Sequence, residues 1–321
     1  MPTRYAERMD VLTDRLTRAQ ARGAVFAHST LRGAWGLRFV DDLPLSIHAV
    51  LEGELWVQLG DDAPVGLLQG DVLLIRSDRP YAFTHAPGAP AEPIPPAPRG
   101  GGAKRFDVGP PSAPPTVLLC GAYAFRGNVC DGLLESVPEL LPLRGAGLRD
   151  PAMRDALGLL ARDVLEPRPG GQAVLDRLLD LLLVYVLRAW FASPEATPPP
   201  WFAALDDPEV GAALQRIHER PERAWTVADL AAEVGLSRAT LARRFAATVG
   251  EAPLAYLTRW RMAIAGEALL EPGATIASVA PTVGYGSEFA FAAAFKRHHG
   301  VAPGRWRSAR RANTGPAVAA T

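Results

Sequence analysis

Three side chains in the first ninety residues have the chemistry to gather a metal: His48 and Glu52 in LSIHAVLEGELWVQL (45–59), and His85 just beyond RSDRPYAF. Imidazole and carboxylate groups on neighbouring strands would suit iron, nickel or zinc. The spacing weakens that reading. Residues four apart on a strand share a face but stand well separated, and RSDRPYAF contributes no histidine of its own. With fewer than three convergent ligands, neither a catalytic metal nor a cofactor is expected, and His48 reads better as a core or rim histidine. Cys120 and Cys130 offer different chemistry. They flank GAYAFRGNV, which a hairpin could close, and Arg126 between them would favour a thiolate. The simpler reading leaves Cys120 buried at the end of an apolar strand, as most cysteines are. No Ser-His-Asp set, phosphate loop or carboxylate pair stands out elsewhere.

A second kind of chemistry lies near the C-terminus and needs only helix geometry and positive charge. In WTVADLAAEVGLSRATLARRFAATVGEAP (225–253), Thr226 can cap one helix, Gly235 can supply the left-handed turn that ends it, and Ser237 can cap the next. Leu241 and Phe245, four apart, take the buried face. Arg238, Ala239, Thr240, Ala242, Arg243 and Arg244 are left outside, where such a helix meets the major groove. Arg243 suits a guanine edge; Arg238, Thr240 and Arg244 suit phosphate. The segment ATIASVAPTVGYGSEFAFAAAFKRHHGVAP (274–303) repeats this plan, offset by 49 residues before the turn and by 50 after it. Here Ser287, Glu288, Phe289, Lys296 and Arg297 are the outward candidates. LAYLTRWRMAIAGEALL (254–270) joins the two units as an amphipathic helix.

Other elements must hold these groups. With 321 residues, 48% apolar and 21% charged, the chain is globular and long enough for two or three domains. The formal charge is zero, but residues 201–321 carry 14 Lys+Arg against 11 Asp+Glu, while residues 1–200 have a net charge of −3. That sign suits a C-terminal module that meets phosphate. The first half predicts short strands, with hairpin turns at Glu52-Gly53-Glu54 and Gly60-Asp61-Asp62, in a small barrel or sandwich. HAPGAPAEPIPPAPRGGG (85–102) predicts a surface loop with no packed element. Helices follow over 151–167 and 172–191, the second with an apolar stripe wide enough to meet another subunit. TPPPW (197–201) reads as a stiff linker. Two cysteines make no disulfide framework, no signal peptide is apparent, and the longest apolar stretch, 178–191, is too short to span a bilayer. A cytoplasmic chain without a membrane partner is expected.

The stretches GLSRATLARRFAATVGEAPLAYLTRWRM and TIASVAPTVGYGSEFAFAAAFKRHHGVAPGRWR closely resemble the DNA-binding region of the AraC/XylS transcription regulators. HAVLEGELWVQL, GDVLLI and LLCGAYAF more loosely resemble the cupin-like sensor of one branch of that family. The resemblance implies an α+β multidomain chain. Residues 1–145 would form a cupin-like β-barrel sensor, 146–196 a helical dimerisation segment, and 197–204 a Pro-rich linker. Residues 205–311 would form an all-α domain with two helix-turn-helix units, followed by a disordered tail over 312–321. It further implies recognition helices in successive major grooves, roughly 34 Å apart. The expected partners are double-stranded promoter DNA, RNA polymerase, a second copy of the chain and a small-molecule effector, with activation as the outcome. Trp35, Arg38, His48 and Trp56 are the effector-pocket candidates, and Cys120 and Cys130 the redox candidates, since some members are thought to sense oxidants through cysteines. The competing reading is a cupin-type metalloenzyme with an appended nucleic-acid module. Two features depart from the family. Phe289, Ala292 and Ala293 stand where polar base readers are common, and Pro281 falls inside a helix, at a typical cost of about 3 kcal/mol. The second recognition helix is therefore expected to meet DNA through shape, thymine methyls and phosphate contacts from Lys296 and Arg297.

Overall fold

The computed structural model describes residues 11–18, 25–40, 45–76, 79–94, 102–123 and 136–313. Cys130, Arg126 and most of the expected tail lie outside the described residues. Contacts divide the chain into two units, one holding residues 25–123 and 137–197, the other holding 11–18 and 198–313.

The first unit is built on two sheets. One runs β11 (Leu140–Leu143), β6 (Val72–Ile75), β3 (Leu45–Glu52), β10 (Pro115–Tyr123), β1 (Val25–Arg32), β9 (Gly102–Val108). The other runs β5 (Val65–Leu68), β4 (Glu54–Leu59), β7 (Tyr81–Thr84), β2 (Gly36–Phe39), β8 (Glu92–Pro93). Pairing is antiparallel except for β1 with β9 and β2 with β8. Inward side chains of both sheets, among them Leu31, Val50, Leu55, Val57, Leu73 and Phe83, share one apolar core. β3 is buried from Leu45 to Val50, as a strand with both faces covered must be.

Two expectations change here and one holds. Glu52-Gly53-Glu54 is not a hairpin: β3 and β4 belong to different sheets, and Gly53 is the corner where the chain crosses. It has φ +78°, and a Cβ there would sit 2.8 Å from the Pro115 carbonyl oxygen, so glycine is required on two counts. Gly60-Asp61-Asp62 does turn β4 into β5, closed by the Asp62 N–H donating to the Leu59 carbonyl at 3.0 Å. Within the Pro- and Gly-rich stretch, Glu92 and Pro93 pair with Leu37 and Arg38 as β8, because an edge position leaves Pro93 no ladder bond to lose. Against the sheets lie α2 (Ala146–Arg149), α3 (Pro151–Leu165) and α4 (Gly171–Phe191).

The second unit holds α1 (Val11–Arg18), α5 (Pro200–Ala203), α6 (Pro208–Glu219), α7 (Val227–Glu233), α8 (Arg238–Val249), α9 (Pro253–Leu270), α10 (Ile276–Thr282), α11 (Glu288–His299) and α12 (Pro303–Asn313). The expected linker is thus partly helix, with Trp201 buried, and the expected tail begins inside α12. The N-terminal helix α1, assigned by its place in the sequence to the sensor, packs with this unit. Asp14 and Arg15 are each 2% exposed. Asp14 Oδ2 lies 2.7 Å from His218 Nδ1, His218 Nε2 lies 2.8 Å from the Tyr256 hydroxyl, and Arg15 Nη2 donates to that hydroxyl at 3.3 Å. With its proton on Nδ1, His218 donates to Asp14 and accepts from the Tyr256 hydroxyl. Arg15 also lies over the rings of Trp201 (4.5 Å) and Trp260 (4.8 Å).

Breaking a buried network from one side leaves the other side uncompensated. His218→Ala should therefore lower the stability of this unit by about 3 kcal/mol, and Tyr256→Phe by about 1 kcal/mol, in urea unfolding followed by near-UV circular dichroism.

Candidate nucleic-acid interface

Each helix pair of the second unit is built from local signals that repeat. Thr226 and Asp229 form a reciprocal capping box at the start of α7, and Thr275 and Ser278 do the same for α10. Both helices end in the same way. The Leu236 N–H donates to the Ala231 carbonyl across Gly235 (φ +72°), and the Tyr285 N–H donates to Ala280 across Gly284 (φ +77°), each at 2.9 Å. Ser237 and Ser287 then cap α8 and α11, accepting from Thr240 N–H and Ala290 N–H. Pro281 lies one residue from the end of α10, so the helix bond it removes is at the terminus. Leu241 and Phe245 are fully buried in the first pair, Phe291 and Phe295 in the second.

The two pairs share α9, which buries Tyr256, Leu257, Trp260, Ile264 and Leu269. Its Arg261 donates to the carbonyls of Pro221 (2.6 Å) and Arg223 (2.8 Å), in the loop before the first pair. The turn of the second pair rests on the same point. A Cβ on Gly284 would come within 2.5 Å of the Glu222 carbonyl oxygen and 2.6 Å of Arg261 Nη2.

On α8, Arg238, Ala239 and Arg243 are exposed, and Thr240, Ala242 and Arg244 are half-buried. Among the described residues neither Arg238 nor Arg243 has an ion pair, so both guanidiniums face solvent. Arg244 differs. It is paired with Asp207, the cap of α6, and with Glu209, both at 2.9 Å. Those hydrogen bonds raise its pKa and depress that of Asp207, where bonds from Val210 N–H and Arg244 outweigh the cost of burial. Arg244 thus braces α8 against α6, a contact that spacing along one helix could not reveal. On α11, Ser287, Glu288, Phe289, Lys296 and Arg297 are all exposed, and the alanines Ala290 and Ala293 between them carry no polar group.

In the barrel, Trp35 and His48 lie inside, whereas Arg38 is exposed and Trp56 faces away from the core, its ring 3.3 Å from a Cβ placed on Gly66. His48 is 2% exposed and meets groups that sequence reading passed over. Its Nε2 lies 2.9 Å from Ser46 Oγ and 3.3 Å from the Tyr81 hydroxyl, and its ring stands edge-on to Phe83 at 4.8 Å. The signal for these was the alternation 46, 48, 50 and 81, 83 along β3 and β7. Nδ1 of His48 has no hydrogen-bond partner among the described residues, and burial pushes the imidazole down to about 3. His85 Nδ1 is taken up by the Trp35 backbone, and Glu52 is exposed. Among the described residues no three His, Cys, Asp or Glu side chains converge as a metal site. Cys120, paired in register with His48, is a free thiol whose pKa burial drives up, away from the thiolate that oxidants attack. No helix among the described residues is long and apolar enough to cross a membrane.

Comparison with known proteins matches two profiles to the chain, the first of which takes in α1 together with the barrel. A family profile described as Cupin matches residues 10–192, and one described as Helix-turn-helix domain matches residues 230–309. An AraC-like transcription regulator of Streptomyces antibioticus is 35% identical over 305 residues, covering 93% of this chain and 98% of that protein. The transcriptional regulator AlkR of Acinetobacter baylyi is 27% identical over 93% of this chain and 99% of its own length. The RCS-specific transcriptional activator RclR of Escherichia coli is 31% identical over 60% of this chain and 68% of its own length.

His48 gives the barrel a defined response to acid. Its folded pKa, about 3, lies below the unfolded 6.5. Between those values the unfolded chain binds the extra proton, so stability is whole above pH 6.5 and falls on acidification. The expected slope is about 1.4 kcal/mol per pH unit. Unfolding midpoints measured from pH 7 to 4 should show it, and His48→Gln should reduce it, leaving the smaller response of His28, whose pKa burial also lowers.

Proposed function

This chain belongs to the AraC family of DNA-binding transcription regulators, and on that premise we propose that its first helix pair reads base edges in promoter DNA while its second sets a companion contact one turn away. The observation that carries this is that Arg238 and Arg243 on α8 are exposed and, among the described residues, have no ion pair. Arg243 takes a guanine edge in bidentate fashion, and Arg238, Ser237 and Thr240 contact the adjoining phosphates, with Ala239 and Ala242 allowing close approach. Lys296 and Arg297 hold the second helix to the backbone. Residues 205–313 with α1 form the DNA-binding domain, and the barrel is the sensor of a small-molecule effector. The chain acts in the cytoplasm as an activator that engages RNA polymerase. The oxidant reading of Cys120 is not favoured, since its thiol is held protonated.

A second copy is proposed to join through the helices beside the barrel. On α4, Val174 and Leu181 are seven residues apart and both exposed. Apolar residues at that interval line one face of a helix.

Selection of duplexes from a random pool by the full chain supplies the probe. Arg243→Ala should then weaken binding to the selected site by about 1–3 kcal/mol and binding to random duplex far less. Equal loss on both would remove Arg243 as a base reader. In sedimentation velocity, Leu181→Glu should convert the dimer to a monomer; an unchanged profile rejects this face.

A further inference from the structure

We propose that Phe289 is a specificity-determining residue that reads the 5-methyl group of thymine, so the second helix pair selects its half of the site by an apolar contact where the first uses a cation. The proposal deepens the DNA-binding reading above and rests on it.

Phe289 is 86% exposed, more than any other large apolar side chain among the described residues. It is the second residue of α11, and the repeat places it opposite Ala239 on α8, at the end of the helix that reaches base edges. Its surroundings remove the alternatives to apolar contact. Ala293 stands where α8 has Arg243, and Ala290 where it has Thr240, so the hydrogen-bonding readers of the first pair are missing. Those alanines also let the helix backbone approach the groove floor. Glu288, exposed beside Phe289, disfavours a phosphate at this end. The cations Lys296 and Arg297 come two turns later, so the backbone contact and the base contact sit at opposite ends of one helix. Thymine is the one base that presents an apolar group in the major groove. Phe291 and Phe295 anchor the opposite face of α11 in the core, which fixes the direction in which Phe289 projects.

The probe is a duplex selected by the full chain and footprinted to locate the bases under α11. Replacing thymidine there by deoxyuridine removes the methyl group and nothing else. The wild-type chain should lose about fourfold in affinity per contacted methyl. Phe289→Ala should bind the thymidine duplex as weakly as wild type binds the deoxyuridine one, and should not distinguish the two. Because Phe289 is a surface residue, the variant should keep the wild-type unfolding midpoint, and Phe289→Leu should keep part of the preference. Equal wild-type affinity for both duplexes overturns the proposal. So does a Phe289→Ala variant that loses affinity equally on both and bends the duplex less, which would make the ring a wedge between base pairs. If no duplex is enriched at all, the DNA-binding premise itself fails; an enriched site indifferent to the methyl group leaves that premise standing and removes only the inference about Phe289.

Discussion

The guanidinium of Arg261 is the point on which the geometry of the DNA-binding unit turns. It lies on the shared helix, donates to two carbonyls of the loop before the first helix pair, and leaves so little room that the turn of the second pair must carry glycine. A helix pair of two short helices buries little apolar surface alone. Two such pairs become stable by covering opposite parts of one long helix, and α9 is accordingly buried along its length by Tyr256, Trp260, Ile264 and Leu269. What a shared core does not supply is a fixed angle. Packing of apolar groups is non-directional, whereas hydrogen bonds from a planar guanidinium to two carbonyls are directional. Arg261 and Gly284 therefore convert two helix pairs that merely adhere into two helix pairs held in register.

On that common frame the two outer faces have diverged. The caps, turns and inward side chains of the two pairs correspond almost residue for residue, yet one exposes arginine and the other alanine and phenylalanine. The scaffold fixes Ser at the cap, Gly at the turn and the buried apolar groups, so exposed positions such as 238, 239 and 243 on α8 and 288, 289 and 293 on α11 are free to differ.

How much of this could be read in the sequence follows from the range of each interaction. Capping, left-handed turns and the 3.6-residue period act over a few residues, and all of them were legible in 225–253 and 274–303. The alternation in β3 and β7 was legible too, although it was not used to place Ser46 and Tyr81 beside His48. Features decided by distant partners were not legible. Gly53 has the neighbours of a hairpin glycine, but its role is fixed by Pro115, 62 positions on. Arg244 has the look of a phosphate contact until Asp207 and Glu209 come beside it. Nothing in VLTDRLTR says that its aspartate will meet a histidine 204 residues away.

That last contact changes how the chain is divided. Because α1 is part of the DNA-binding unit, the chain begins its described course there, passes through the barrel, and returns at residue 198. In sequence, the barrel unit is thus inserted between two parts of the DNA-binding unit. A C-terminal fragment excised at the prolines would lack a piece of its own core, leaving two indoles and a histidine open to water. Exchange of the barrel for one from another protein would have to leave α1 with the DNA-binding unit and so make two joins in the chain.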